Sequence, residues 1–335
     1  MAVTIKTIAK ETGLSLTTVS KYLNGGNVLS ENKALIEASI KKNGYRVNYI
    51  AKTLKTGHTN TIGVVLPSFK DIFHTQLFHY LEYYLQCKGY SVQIVGSGGT
   101  LETEKKSIKT LLSRQVDAIF LFPIYGAEEN AKYVVENNVP LIIGDQYIEH
   151  IDADFVLFDN FSASKKAVKK LIKAGHKKIA FLGVDRKYYT ANQRFAGYRE
   201  AMLKNGLVPR PEYEMLCPDF QIEMAKEAVN HLLDLPEPPT AIFATNFYMT
   251  VGMISVFNER NLKLGQDISA IGYDSFFISD MVYPKLTIIE QPIENAGKQI
   301  ADIIIQRVSR KKDTNELKTI MIPTILIDGD SIKKI

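Results

Sequence analysis

Residues 4–26 read TIKTIAKETGLSLTTVSKYLNGG, and the spacing of their apolar and punctuating residues decides the first part of the fold. Thr4 is a natural N-cap for a helix from Ile5 to about Thr12, and Gly13 is a natural stop. Ser15 caps a second helix from Leu16 to about Asn24, ended by Gly25-Gly26. Two short helices joined by a Gly-containing turn make a helix-turn-helix. Ile8, Ala9, Leu14, Val19 and Leu23 share one face. A third helix, capped by Ser30 and ended by Gly44, adds Leu35, Ile36 and Ile40 to that core. With Val19 and Leu23 turned inward, Leu16, Thr17, Ser20 and Lys21 point outward near the end of the second helix that enters the major groove in such modules. Lys21 suits guanine, Thr17 several base edges, and Leu16 a thymine methyl. A plain three-helix bundle with a polar face has the same spacing, so charge must decide between them.

Residues 1–60 hold nine Lys/Arg against three Asp/Glu, a balance of +6, whereas the whole chain of 335 residues carries only +5. The basic charge is confined to this small module, which favours nucleic acid as its partner. The length allows two or three domains, and 45% hydrophobic with 23% charged residues is an ordinary globular composition. No apolar run is long enough to cross a bilayer, and residues 1–10 lack the apolar core of a secretory signal, so a cytoplasmic protein is expected. Cys87 and Cys217 stand far apart without metal-ligand spacing, and His74 and His79 are five residues apart and do not share a helix face. No metal and no cofactor is expected. Gly96-Ser97-Gly98-Gly99 lacks the third glycine and the lysine of a phosphate loop and reads as a turn.

Beyond Asn60 the pattern changes to short β-branched runs alternating with helical stretches. The runs are Ile62–Leu66, Val92–Val95, Ala118–Phe122, Leu141–Ile143, Phe155–Phe158, Ile179–Leu182, Ala241–Ala244 and Ile268–Ile271. Buried strands with helices between them imply parallel sheets covered on both faces. Their number exceeds one doubly wound sheet, so two lobes with a cleft between them are expected. The fold class is therefore α/β, with an N-terminal all-α helix-turn-helix domain.

Several segments in fixed register resemble the LacI/GalR family. At the N-terminus they are Thr4–Ala9, Gly13–Ser15, Thr18–Lys21, Leu23–Gly25, Gly44–Arg46, Asn48 and Ala51–Gly57. In the body they include Thr61–Val65, Val116–Ile119, Asp159-Asn160, Gly175–Phe181, Arg194–Tyr198, Pro239–Asn246, Asp267–Asp274 and Gln291-Pro292. The resemblance implies a two-lobed, periplasmic-binding-protein-like body behind the DNA-binding module. The domains would be 1–46 for the helix-turn-helix, 47–60 for a hinge helix or linker, and 61–335 for effector binding and dimerisation. Lobe 1 would span about 61–160 and 292–321, and lobe 2 about 161–290 and 322–335. The resemblance extends the DNA contacts to Thr4, Ser15, Thr18 and Asn24, and in the hinge to Asn48, Ala51, Lys52, Leu54 and Lys55. Leu54 would wedge into the minor groove. Val47 stands where the family usually has proline, Ile72 likewise, Asn246-Phe247 replaces an Asn-Asp pair, and Asp328–Ser331 replaces an arginine-containing turn.

Ligands of open α/β lobes sit at the carboxyl ends of the strands. Those positions hold Ser68, Asp71, Ile72 and Phe73 after the first strand, then Tyr125 and Asp145, and across the cleft Arg194, Asn246 and Asp274. Phe161, Phe220 and Gln291 fall at matching family positions. An arginine fork, carboxylate acceptors and aromatic faces suit a polyhydroxylated ligand. The resemblance implies a sugar-controlled transcriptional repressor acting as a homodimer on a palindromic operator. No leucine-heptad tail is present to assemble a tetramer, and no Ser/His/Asp set or paired carboxylates argue for an enzyme. A solute-binding protein without a DNA role, and a regulator whose cleft answers to a partner protein or a nucleobase, are the competing readings.

Overall fold

A computed structural model describes residues 3–23, 25–45, 57–274, 277–309 and 316–335. The chain divides into two compact units, Met1–Thr59 and Asn60–Ile335.

Among the described residues the first unit holds three helices: α1 (Ile5–Thr12), α2 (Leu16–Leu23) and α3 (Ser30–Asn43). The Thr4 backbone N–H donates to the Thr7 hydroxyl (3.2 Å), and the Ser15 hydroxyl accepts from the Thr18 N–H (3.1 Å), so both expected starts are capped. Ile8, Ala9, Val19 and Ile36 form the core, with Leu14, Leu23 and Ile40 partly buried around it. Leu35 does not join them: it is 50% exposed, because the inward stripe of α3 runs through Ile36 and Ile40, and Leu35 is one position off that stripe. Ser30 is the first residue of α3 rather than its cap, and Leu29 holds the cap position without a side-chain bond. Glu11 ties α1 to the end of α3 by accepting from Ser39 (2.8 Å) and Lys42 (2.6 Å).

The second unit contains two six-stranded sheets. With strands numbered in chain order, the first sheet contains β1 (Thr61–Leu66), β2 (Ser91–Gly96), β3 (Ala118–Leu121), β4 (Leu141–Gly144), β5 (Asp154–Phe158) and β11 (Thr319–Ile322), in the order β11-β5-β4-β3-β1-β2. The second contains β6 (Ile179–Val184), β7 (Glu214–Cys217), β8 (Ala241–Ala244), β9 (Ser269–Tyr273), β10 (Thr287–Glu290) and β12 (Ile325–Ile327), in the order β12-β10-β9-β8-β6-β7. Every pairing is parallel except β10 with β12. Strands β7, β10, β11 and β12 fall outside the eight apolar runs picked from sequence. They include all three edge strands other than β2, whose patterning is diluted by exposure.

Alternation within each strand explains why both sheet faces are covered. Ile62, Val64 and Leu66 of β1 pack with helices Ile72–Cys87 and Ile293–Val308, while Val65 turns to helices Leu101–Ser113 and Glu128–Glu136. In the second lobe Ala180, Leu182 and Val184 of β6 face one layer, and Ile179 and Phe181 the other. The chain passes between lobes after β5, after β10 and between β11 and β12. The return to the first lobe is pinned by Arg307, whose Nε and Nη2 donate to the two oxygens of the buried Asp154 carboxylate (2.7 and 2.6 Å). Gly98 and Gly99 take the left-handed backbone (φ 62° and 74°) in a turn that delivers Thr100 as the cap of helix Leu101–Ser113.

Candidate functional site

On the first unit, Thr17 and Lys21 are exposed, Leu16 is 46% exposed, and Thr18 and Ser20 are half-buried. Thr17, Thr18 and Lys21 line an open depression of about 480 Å³ together with Asn27, Val28, Leu29 and Asn32. Gly26 makes this possible: its N–H donates to the Lys21 carbonyl (2.8 Å), and a Cβ there would lie 2.7 Å from Lys21 Cγ. Thr4 and Ser15 sit at the helix caps, where donors for phosphate also gather. Asn24, Asn48, Ala51, Lys52, Leu54 and Lys55 lie outside the described residues, as does Val47.

In the body, the two sheets are wound alike, and β4 and β9 hold equivalent places in them. Each is followed by an aspartate in the left-handed region, Asp145 (φ 63°) and Asp274 (φ 60°). The backbone N–H of each still reaches the neighbouring strand, Asp145 to Val156 (3.0 Å) and Asp274 to Ile289 (2.8 Å). The chain then has to turn sharply, and aspartate tolerates the left-handed conformation better than most residues. The two carboxylates sense one another and Arg194. Burial lifts Asp145 to about 7, against the pull of Arg194 and His74. Burial likewise lifts Asp274 to about 6, against Arg194 and a hydrogen bond from Gln291 Nε2 (2.8 Å).

Arg194, buried on helix Tyr189–Lys204, is held from three sides. Its Nε donates to Asn160 Oδ1 (2.7 Å), its Nη1 donates to the Thr245 carbonyl (2.6 Å), and its guanidinium lies 3.9 Å from the centre of the Tyr273 ring. The Tyr273 hydroxyl donates to the same Asn160 oxygen (2.8 Å). Asn160 opens the helix Asn160–Lys173 and Gln291 precedes the helix Ile293–Val308, each where the chain passes between lobes, so this network reaches the interlobe connections. Asn246 caps helix Phe247–Glu259 by accepting from the Met249 N–H (2.9 Å).

The first-lobe wall is built at the start of helix Ile72–Cys87. Asp71 caps it, accepting from the His74 N–H (2.9 Å), and lies 3.0 Å from His74 Nδ1. Burial pulls the His74 imidazole down, but the Asp71 carboxylate and, more weakly, Asp145 outweigh it and raise its basicity. His74 meets the Phe122 ring edge-on at 4.5 Å. Burial and a hydrogen bond to Asp71 push the Tyr248 phenol up to about 12, so a second-lobe side chain touches the first-lobe cap. The Tyr189 N–H donates to Gln146 Oε1 (3.1 Å) across the same gap.

The structure thus brings Asp71, Asp145, Arg194, Asp274 and Gln291 into one charged network, with Asn246 at its edge. Phe73 is buried in the first-lobe core against Phe122 and Phe158, and Ile72 is the half-buried first residue of its helix. Ser68, Tyr125, Phe161 and Phe220 make their contacts elsewhere. Ser68 is exposed and accepts from the Lys70 N–H, Tyr125 is exposed, Phe161 lies under Lys165, and Phe220 packs edge-on to Tyr188. Sequence reasoning overlooked His74, Asn160, Tyr248 and Tyr273 as site residues. Asn160 and Tyr273 were findable, because one follows a strand run directly and the other immediately precedes Asp274. His176 acts structurally: Nδ1 meets the Thr240 hydroxyl (2.8 Å) and Nε2 the Lys333 carbonyl (3.1 Å), which fixes the C-terminal segment. A separate open depression of about 470 Å³ lies at the ends of β6 and β7, lined by Asp185, Arg186, Asn192, Leu216 and Pro218, outside the charged network.

Two buried oxygens of this network have no hydrogen-bond partner, Asp145 Oδ1 and Gln291 Oε1. Buried acceptors of this kind are rare in folded proteins, and a bound molecule is one of the ways they are answered.

Comparison with known proteins places this geometry. The family described as "Periplasmic binding proteins and sugar binding domain of LacI family" matches residues 59–329. The chain is 30% identical over 325 residues to catabolite control protein A of Priestia megaterium, covering 96% of this chain and 97% of that protein. It is 29% identical over 334 residues to the HTH-type transcriptional repressor PurR of Mannheimia succiniciproducens, covering 99% of both. Its fold is shared with the lac repressor dimer bound to operator and the anti-inducer ONPF, at a TM-score of 0.85 and 23% identity, covering 99% of this chain and 100% of that one.

Proposed function

The chain belongs to the LacI family of transcriptional regulators, and on that premise we propose that it is a repressor controlled by a small polyhydroxylated molecule, a sugar first among the classes, bound between its lobes. The observation that carries the ligand half is the pair of unanswered acceptors in the Arg194 network, Asp145 Oδ1 and Gln291 Oε1. A hydroxylated molecule supplies the missing donors. The DNA half rests on the basic charge of residues 1–60 and on the exposed Thr17 and Lys21 beside the depression at α2. A homodimer presents two such faces to a palindromic operator in the cytoplasm, the compartment that gives it access to the chromosome.

Ligand acts on DNA affinity only through a difference between its affinities for two lobe arrangements. Asn160 and Gln291 couple the network to the interlobe connections, and Tyr248 with Asp71 spans the gap, so a molecule bonded there biases the lobe angle. The test is a thermal-shift screen of the full chain against sugars, nucleobases and amino acids, followed by operator-binding titration with and without each hit. A ligand at about 100 times its Kd adds roughly 2.7 kcal/mol. A sugar hit that vanishes in Arg194→Ala and changes operator affinity supports the proposal. A nucleobase hit replaces the ligand class, and a hit that leaves operator affinity unchanged refutes the coupling.

A further inference from the structure

Resting on that reading of the cleft, we infer that the site selects an uncharged ligand rich in hydrogen-bond donors and rejects phosphorylated and carboxylated analogues of the same molecule. The first ground is the polarity of what is left unanswered. Of the network's buried atoms without a hydrogen-bond partner, both oxygens, Asp145 Oδ1 and Gln291 Oε1, are acceptors, and the one nitrogen, His74 Nδ1, already faces Asp71 Oδ1 at 3.0 Å. A hydroxyl or amide N–H satisfies the two oxygens, whereas a phosphate or carboxylate brings only more acceptors at neutral pH.

The second ground is the balance of charge. Asp71, Asp145 and Asp274 converge on two basic groups, Arg194 and His74. Arg194 already donates to Asn160 and the Thr245 carbonyl and is drawn on by the charges of Asp145 and Asp274, while His74 lies 3.0 Å from Asp71. An anion entering this network meets carboxylates whose counter-charges are taken, and close like charges in a shielded site repel strongly.

The experiment measures full-chain affinity for matched pairs at pH 8 by calorimetry: glucose with glucose 6-phosphate, ribose with ribose 5-phosphate, galactose with galacturonate, and adenosine with its monophosphate. In any pair that binds, the neutral member should bind at least about tenfold more tightly. Asp145→Asn, which keeps the shape and removes one charge, should shrink that ratio. An anionic member that binds as tightly as its neutral partner overturns the inference and leaves the small-molecule reading standing. A ratio unchanged by Asp145→Asn overturns the electrostatic cause. A panel in which nothing binds overturns the inference together with the polyhydroxylated-ligand reading on which it rests.

Discussion

Replacing Asp145 by asparagine should make the ligand-free protein more stable, and the gain should grow with pH. The carboxyl is shifted from 3.8 to about 7, chiefly by burial, and its Oδ1 has no partner. The unfolded chain loses this proton near pH 4, whereas the folded protein holds it until about 7. Stability therefore falls as pH rises through that window and levels off above it. A shift of about three units corresponds to about 4 kcal/mol at the plateau, an upper bound because substitution also removes the attraction to Arg194. Urea unfolding of both proteins, followed by circular dichroism between pH 5 and 8.5, should show the advantage of Asp145→Asn growing by roughly 2–3 kcal/mol across that range. In the same variant the response to any cleft ligand should weaken. Two stability curves that run parallel in pH would show that Asp145 is not held at an energetic cost. The carboxylate would then be solvated or paired, and the case for a ligand answering it would fail.

Other consequences follow from single contacts. Lys21→Ala should cost about 1–3 kcal/mol on the preferred operator and relax base preference at one position of each half-site, read by selection from random DNA; retention of full preference would remove Lys21 from base readout. Gly26→Ala forces a Cβ against Lys21 Cγ and should weaken operator binding while leaving the unfolding of the body unchanged, which separate thermal transitions would show. Asp154→Ala leaves Arg307 without its carboxylate partner and should destabilise the body by about 3–5 kcal/mol. For His176, burial lowers the folded-state value below 6.5, so its contribution is present above that pH and is lost as pH falls through the folded value. The protection factor of the Ile335 N–H, bonded to the Ala174 carbonyl (2.9 Å), should therefore fall on acidification below the ordinary imidazole range in the wild type and not in His176→Asn.

The three-helix unit was legible because its signals are local: caps at Thr4 and Ser15, stops at Gly13 and Gly44, and apolar residues at helical spacing all lie within one or two turns of each other. Leu35 misled because a stripe on a helix is decided by what it faces, and Ile36 and Ile40 won that face. Buried parallel strands announce themselves as unbroken β-branched runs, so the internal strands of both sheets were readable except β10, whose four residues end in Glu290 and pair on one side with the antiparallel β12. Edge strands such as β7, β11 and β12 are half-exposed and lose the pattern.

The charged network shows the boundary most clearly. Sequence put aspartates 145 and 274 at strand ends, because strand ends are local. That both are coupled electrostatically to Arg194, with Asn160 and Gln291 completing the set, depends on residues up to 146 positions apart, from Asp145 to Gln291. Only the closure of two sheets about three interlobe connections brings these side chains together. Their ionisation and their unanswered oxygens follow from burial and neighbours, which are properties of that closure and not of the residues taken singly.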